Sequence, residues 1–218
     1  MKNLSDTKSL LVLEYQILRR AIGILGTVLP FMISIGGWIL FQTGIQASLS
    51  GYYYTGMRDV FVGTLCAIGI FLLSYKGYER KDDIAGNLAC VFVVGVALFP
   101  TAPPGSVSSL VKIIGILHLA FASLFLATLA YFSLCLFTKT DTVGALRPRK
   151  LQRNRIYKFC GYTIAICILL MLIEVSLPQE LKNSLKPYHP IYWLESIAIF
   201  VFGISWLTKG QAILWDET

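Results

Sequence analysis

Ser50-Gly-Tyr-Tyr-Tyr-Thr-Gly-Met-Arg-Asp59-Val-Phe-Val-Gly-Thr-Leu-Cys-Ala-Ile-Gly-Ile-Phe-Leu-Leu-Ser74 runs from a polar, aromatic threshold straight into an unbroken apolar segment. Tyrosine suits such a threshold because its ring is apolar and its hydroxyl seeks water or a headgroup. The run that follows has no polar alternation, so it does not read as a strand with one wet face. It reads as a helix apolar on every side, and a helix of that kind belongs in a membrane or in a large core. Arg58 and Asp59 stand at its start, where an ionised group is costly unless it has a partner, and this marks them as functional candidates.

The same kind of run recurs along the chain, at about 21–43, 58–76, 84–101, 109–138, 156–177 and 191–208. Each is close to the ~20 residues that cross a bilayer core as helix. The composition agrees: of 218 residues, 56% are hydrophobic and only 14% charged, with mean hydropathy +0.67. A soluble domain carries roughly a quarter charged residues, so this chain lacks the polar surface to face water. The expected fold is all-α, a polytopic transmembrane helical bundle of six spans. Residues 1–20 precede the first span, either as an interfacial helix or as an extension of helix 1. Residues 21–210 form the membrane domain, and 211–218 a short tail.

The formal net charge of +7 is a topology signal. With the N-terminus inside, the outer segments keep only Arg58, Lys112, Lys182 and Lys186 of the 19 basic residues. That asymmetry is the positive-inside pattern. It gives an N-in, C-in chain with both termini cytoplasmic, and it argues against nucleic acid as a partner. The most basic stretch, Arg147-Pro-Arg-Lys-Leu-Gln-Arg-Asn-Arg155, lies in an inner loop, where topology anchoring alone accounts for it and contact with anionic headgroups is the alternative. The five cysteines fall inside the apolar runs without a C-x-x-C pair, as packing residues do. The first run is longer than a cleaved signal's apolar region and is expected to stay as helix 1.

Other features are local. Pro30 interrupts the donor ladder of helix 1. Gly63 and Ala67 have the small-xxx-small spacing that lets another helix approach. Tyr75-Lys-Gly-Tyr-Glu-Arg-Lys-Asp-Asp83 makes a tight charged inner turn, so helices 2 and 3 should form an antiparallel hairpin. Pro100-Thr-Ala-Pro-Pro-Gly105 ends helix 3 in a rigid outer turn. Tyr192 and Trp193 form an outer aromatic belt, while Trp206 and Lys209 close helix 6 at the inner face.

Chemistry-bearing residues collect at the outer end. Arg58, Asp59, Glu174, His189 and Glu195 lie near that boundary, and His118 lies deeper on helix 4. The inner half shows almost no acid within a span. Arg58 and Asp59 are neighbours in sequence and so point in different directions on a helix. Asp59 is expected to face the bundle, towards His118 or the start of helix 6, and Arg58 to face a headgroup or an acid. Two readings follow: a structural polar clasp tying helices 2, 4 and 6, or a ligand pocket at the outer leaflet, for which the candidate ligand-binding residues are Tyr53, Tyr54, Arg58, Asp59, His118 and Glu195. Membrane lipids are the expected partners, with other membrane-protein subunits beside them. Asp59, His118 and His189 or Glu195 would make a three-ligand metal site, but without a paired-histidine motif no metal or cofactor is assigned.

Gly51-Tyr-Tyr-Tyr-Thr-Gly-Met-Arg-Asp-Val-Phe-Val-Gly63, Leu73-Ser-Tyr-Lys-Gly-Tyr78 and Ala97-Leu-Phe-Pro-Thr101, with Trp193-Leu-Glu-Ser196 and Ser205-Trp-Leu-Thr-Lys-Gly210, resemble uncharacterised bacterial multi-pass membrane proteins. The resemblance implies a bacterial inner-membrane location and no activity. The alkaline ceramidase and adiponectin-receptor group differs in helix number and in its paired late histidines, so no residue is carried over from it. The expected function is binding of a lipid or small polar ligand at the outer leaflet, or service as an accessory subunit of a membrane assembly. The alternative is a metal-dependent lipid hydrolase, and a proton-coupled transporter is less favoured.

Overall fold

Apolar segments of this length have few ways to satisfy their backbone away from water, and the chain takes the helical one throughout. A computed structural model describes residues 4–77, 79–103, 105, 108–139 and 148–214, with side chains from Glu14 onward. Its helices are α1 (Leu4–Phe41), α2 (Arg58–Ser74), α3 (Arg80–Leu98), α4 (Ser109–Tyr131), α5 (Pro148–Ser176), the short α6 (Gln179–Leu185) and α7 (Pro190–Lys209). No strand occurs among the described residues. The segment before residue 20 is the leading part of α1, which continues through Pro30 without a break. Arg147 and the rest of 140–147, and the end of the tail at 215–218, lie outside the described residues.

Local sequence sets the helix ends. α3 opens on a capping box: Glu79 and Asp82 each accept a hydrogen bond from the other's backbone N–H. The Ser108 hydroxyl caps α4 by accepting from Val111 N–H at 3.4 Å. Pro190 begins α7 immediately after His189, whose φ of 49° turns the chain left-handed. α4 ends in a π turn over Phe132–Leu136, closed by Phe137 N–H to Phe132 C=O at 2.9 Å.

Among the described residues, four stretches are long and apolar enough to cross a membrane: Glu14–Phe41, Ser109–Leu136, Pro148–Ser176 and Pro190–Lys209. α2 has 17 residues, about 26 Å of helix against a hydrocarbon core of about 30 Å. α3 starts with Arg80, Lys81, Asp82 and Asp83, which shortens its apolar part. These two still pack as the expected antiparallel hairpin: Gly69 faces Val93, and Gly86 faces the Leu72 carbonyl.

The long helices pack in chain order round a ring, α1, α2, α3, α4, α5, α7 and back to α1. The seam between first and last is the tightest. Gly23 and Gly203 lie so close that a Cβ on Gly203 would overlap Thr27, and one on Gly23 would overlap the Leu207 backbone. Small residues drive helix pairing in membranes by permitting this approach. Gly63, the expected contact, faces open space with nothing within 4 Å. Its side of α2 is exposed, because the buried face follows Phe61, Leu65, Ile68 and Leu72. Inside the ring, the Ser133 and Ser205 hydroxyls bond each other at 2.9 Å, both fully buried. The end of α4 and the end of α7 meet in an aromatic cluster. Trp206, 0% exposed, touches Tyr75, Phe132, Phe137 and Phe202 at ring separations of 5.1–6.0 Å. Trp206 is thus a core residue at that end of α7. Tyr192 likewise turns inward and bonds Ser34 at 2.6 Å, leaving Trp193 on the outside.

Candidate functional site: the capped end of the ring

The connection between α1 and α2 does not project as a loop. Leu49, Ser50, Tyr52 and Met57 are all buried, so residues 42–57 fold into the mouth of the ring as a cap, with a short 3-10 turn over Ser50–Tyr54. Burial alone would leave the amides at the start of that turn without acceptors, at real cost. Glu195 supplies one: its carboxylate accepts the Leu49 N–H at 2.7 Å, with the Ser50 amide beside it. Ala47 C=O accepts from Tyr192 N–H at 3.2 Å. The Tyr52 ring lies 6.4 Å from the Tyr192 ring. Removal from water pushes the Tyr52 hydroxyl above the ordinary tyrosine pKa. The cap is therefore bolted mainly to α7.

Directly beneath it is a cavity of about 40 Å³, walled by Leu29, Phe61, Val96 and Ala122 among others, with Ser50 and Glu195 as its polar members. One ordered water needs roughly 10–15 Å³ measured in the same way, so the space holds a few waters or a small ligand. Among the described residues, Glu195 is the one ionisable group in its wall.

The structure divides the six sequence candidates into three places. Tyr53, Tyr54, Arg58 and Asp59 lie on the outside of the cap. The Arg58 guanidinium stacks 4.3 Å over the Tyr53 ring and donates to its hydroxyl at 2.6 Å. Tyr54 donates to the Thr101 carbonyl at 2.7 Å, tying the cap to the α3–α4 turn. Its pKa is raised, chiefly by burial and next by its neighbour Tyr53. Asp59 is exposed and does not face the bundle. It stands two residues, a little over half a turn, from Phe61, so the face that buries Phe61 turns Asp59 outward.

His118 is buried, but its Nδ1 bonds the Phe99 carbonyl at 2.7 Å. A carbonyl only accepts, so Nδ1 carries the proton. Pro100 ends α3 at this point, and the histidine satisfies a carbonyl that the terminated helix leaves over. Among the described residues no three His, Cys, Asp or Glu side chains converge as metal ligands. The set Asp59, His118 and His189 or Glu195 is not assembled. The cysteines are free, Cys160 and Cys167 buried and Cys135 exposed.

The sequence reading also passed over the opposite end. Asp82, in the charged inner turn outside the expected spans, is 1% exposed, a burial the sequence reading did not anticipate. Lys139 reaches it at 3.0 Å and Glu79 at 3.2 Å. The Glu79-x-x-Asp82 spacing of a capping box was the available signal.

Compared with protein-family models, curated proteins and solved structures, the chain matches none. Any functional reading therefore stands on geometry.

Proposed function

We propose that the chain is an integral membrane protein of six spans, N-in and C-in, that holds a small polar ligand in the capped cavity, with Glu195 as its polar anchor. The observation that carries this reading is the cap: a loop folded over a cavity and fastened by the carboxylate that lines it. A ligand competing for Glu195 would loosen the Leu49 tie, so entry and cap opening are one event. The six-span count is supported by the position of α2 and α3, which fill the ring between α1 and α4. The orientation is supported by the grouping of basic residues at the end opposite the cap. We place it in a bacterial inner membrane on the resemblance alone.

A second reading has its own observation. Arg58 is exposed, has no acid within ion-pair distance among the described residues, and is preset by Tyr53. It would take the phosphate or carboxylate of an outer-leaflet lipid. Native mass spectrometry of the gently solubilised protein separates the two. A stoichiometric small adduct lost in Glu195→Ala and kept in Arg58→Ala supports the cavity. An adduct of lipid mass lost only in Arg58→Ala moves the site to the outer surface. A wild-type protein with neither adduct refutes both.

A further inference from the structure

Between α5 and α7 the chain makes a polar elbow that neither reading above uses. Glu174 stands in the last turn of α5, Lys182 on α6, Lys186 in the turn Lys186–Tyr188, and His189 just ahead of α7. With Ala47 of the cap they line a second cavity, of about 280 Å³. It shares no lining residue with the space beneath the cap. Small-molecule pockets begin at roughly 300 Å³, so this one has room for a small polar group and not for a whole lipid.

Its charges are not spent on one another. Among the described residues, Glu174, Lys182 and Lys186 have no ion-pair partner. Lys182 uses one of its three donors on the Val175 carbonyl at 2.6 Å. The Glu174 carboxylate and the Lys186 ammonium make no hydrogen bond among those residues. The deciding detail is His189: its Nδ1 is buried and has no hydrogen-bond partner. A buried polar atom left open is costly, and this one lacks a partner from the chain itself. The depth of the pocket is also defined. It lies where two membrane-length helices meet the surface, at the end of Pro148–Ser176 and the start of Pro190–Lys209. Tyr188 and Trp193, close by in the chain, are exposed, as aromatic side chains at headgroup level are.

We propose that this elbow binds a phosphoethanolamine group, with Glu174 accepting from the primary ammonium and Lys182, Lys186 and His189 on the phosphate. An ionised carboxylate only accepts hydrogen bonds, so it selects an amine that carries N–H over a quaternary one. Quaternary ammonium is held instead by aromatic faces, and among the described residues no Tyr, Trp or Phe stands in this wall. Charge-assisted bonds from the lysines hold the anionic half. A phospholipid headgroup and free phosphoethanolamine carry the same chemistry.

The test is native mass spectrometry of the whole protein in a neutral detergent, titrated with dioleoyl phosphatidylethanolamine or dioleoyl phosphatidylcholine, with free phosphoethanolamine as competitor. One phosphatidylethanolamine should be held about tenfold more tightly than phosphatidylcholine, the size of one hydrogen bond to a charged group. Glu174→Gln should remove that preference. Lys186→Gln should weaken both lipids together, because both carry the phosphate. Lys112→Gln removes an exposed cation at the start of α4 and should change nothing. Displacement by phosphoethanolamine makes the natural ligand a soluble one; failure to displace makes it the lipid. A preference that survives Glu174→Gln, or one lost in Arg58→Ala instead, overturns the proposal. So does a protein that shows neither the preference nor bound phosphoethanolamine. If Glu174→Gln does not fold, the exposed Lys186 carries the test, and unchanged affinity for both lipids in Lys186→Gln overturns the proposal.

Discussion

Gly203→Ala, set against Gly63→Ala, puts the closure of the ring to a direct test. A Cβ at 203 would stand 2.5 Å from the Thr27 backbone nitrogen and 2.7 Å from the Gly23 carbonyl, where ordinary contact begins at 3.4 Å. Both obstacles are backbone, so no rotamer relieves them. α1 and α7 must part by roughly 1 Å, enough to forfeit a large share of the dispersion contacts along the seam. Overpacking of this kind costs about 1–3 kcal/mol. Alanine recovers up to about 1 kcal/mol of helix propensity at either position, but at Gly63 nothing opposes that gain. The same one-methyl change should therefore destabilise at 203 and be neutral or stabilising at 63. The assay is unfolding of the purified protein in mixed micelles as the share of denaturing detergent rises, read from tryptophan fluorescence, to which the buried Trp206 contributes. A Gly203→Ala protein as resistant as wild type would refute the close-approach argument, as would an equal loss in Gly63→Ala.

Glu195→Ala leaves the Leu49 amide buried without its acceptor, a cost of about 1–3 kcal/mol. Amide exchange over residues 49–52 should quicken by tenfold or more while α2 and α7 stay protected, and Glu195→Gln should do less. Lys139→Met strands the buried Asp82 carboxylate and should cost about 1.5–3 kcal/mol, with partial recovery in Asp82→Asn/Lys139→Met, read in the same unfolding assay. The Asp82 hydrogen bond raises the Lys139 pKa above its ordinary 10.5. The folded value is the higher one, so the tie is fully present at neutral pH and is lost as pH rises through it. Stability should thus fall at strongly alkaline pH in the wild type and change less in the double variant. His118→Leu strips the Phe99 carbonyl of its donor and should lower stability by about 1–3 kcal/mol without displacing any bound ligand detected by native mass spectrometry. Ligand loss in that variant would return His118 to the site.

The helices were legible because their signal is compositional: runs like Val60–Ser74 have no second interpretation in water. The grouping of charge at two ends was legible for the same reason. What composition does not encode is which of many equivalent residues meet. Gly63 has the spacing of a packing glycine and faces open space, while Gly203 closes the ring. The choice depends on helix rotation, which buried neighbours such as Phe61 decide. Asp59 was misplaced by the same rotation. The cap was missed because Leu49, Tyr52 and Met57 lie in a connection rich in glycine and polar residues that reads as an exposed loop, so its burial is visible only against α7. Of the six site candidates, Glu195 alone lines the cavity, and its mark in the sequence was an acid in the second turn of an apolar helix.

Ring closure has a consequence for how the chain is made. Arg20 finds its acceptors 190 residues on, Ser34 its tyrosine 158 residues on, and Leu49 its carboxylate 146 residues on. α1 is thus completed only by α7, which is synthesised far later. Until α7 is inserted, the Gly23 face of α1 has no mate and the cap has nothing to fasten to. The hairpin of α2 and α3 can form early from near neighbours, but the molecule remains an open arc. A chain halted before Pro190 would present an unsealed edge, and only the twenty residues of α7 turn that arc into a closed object.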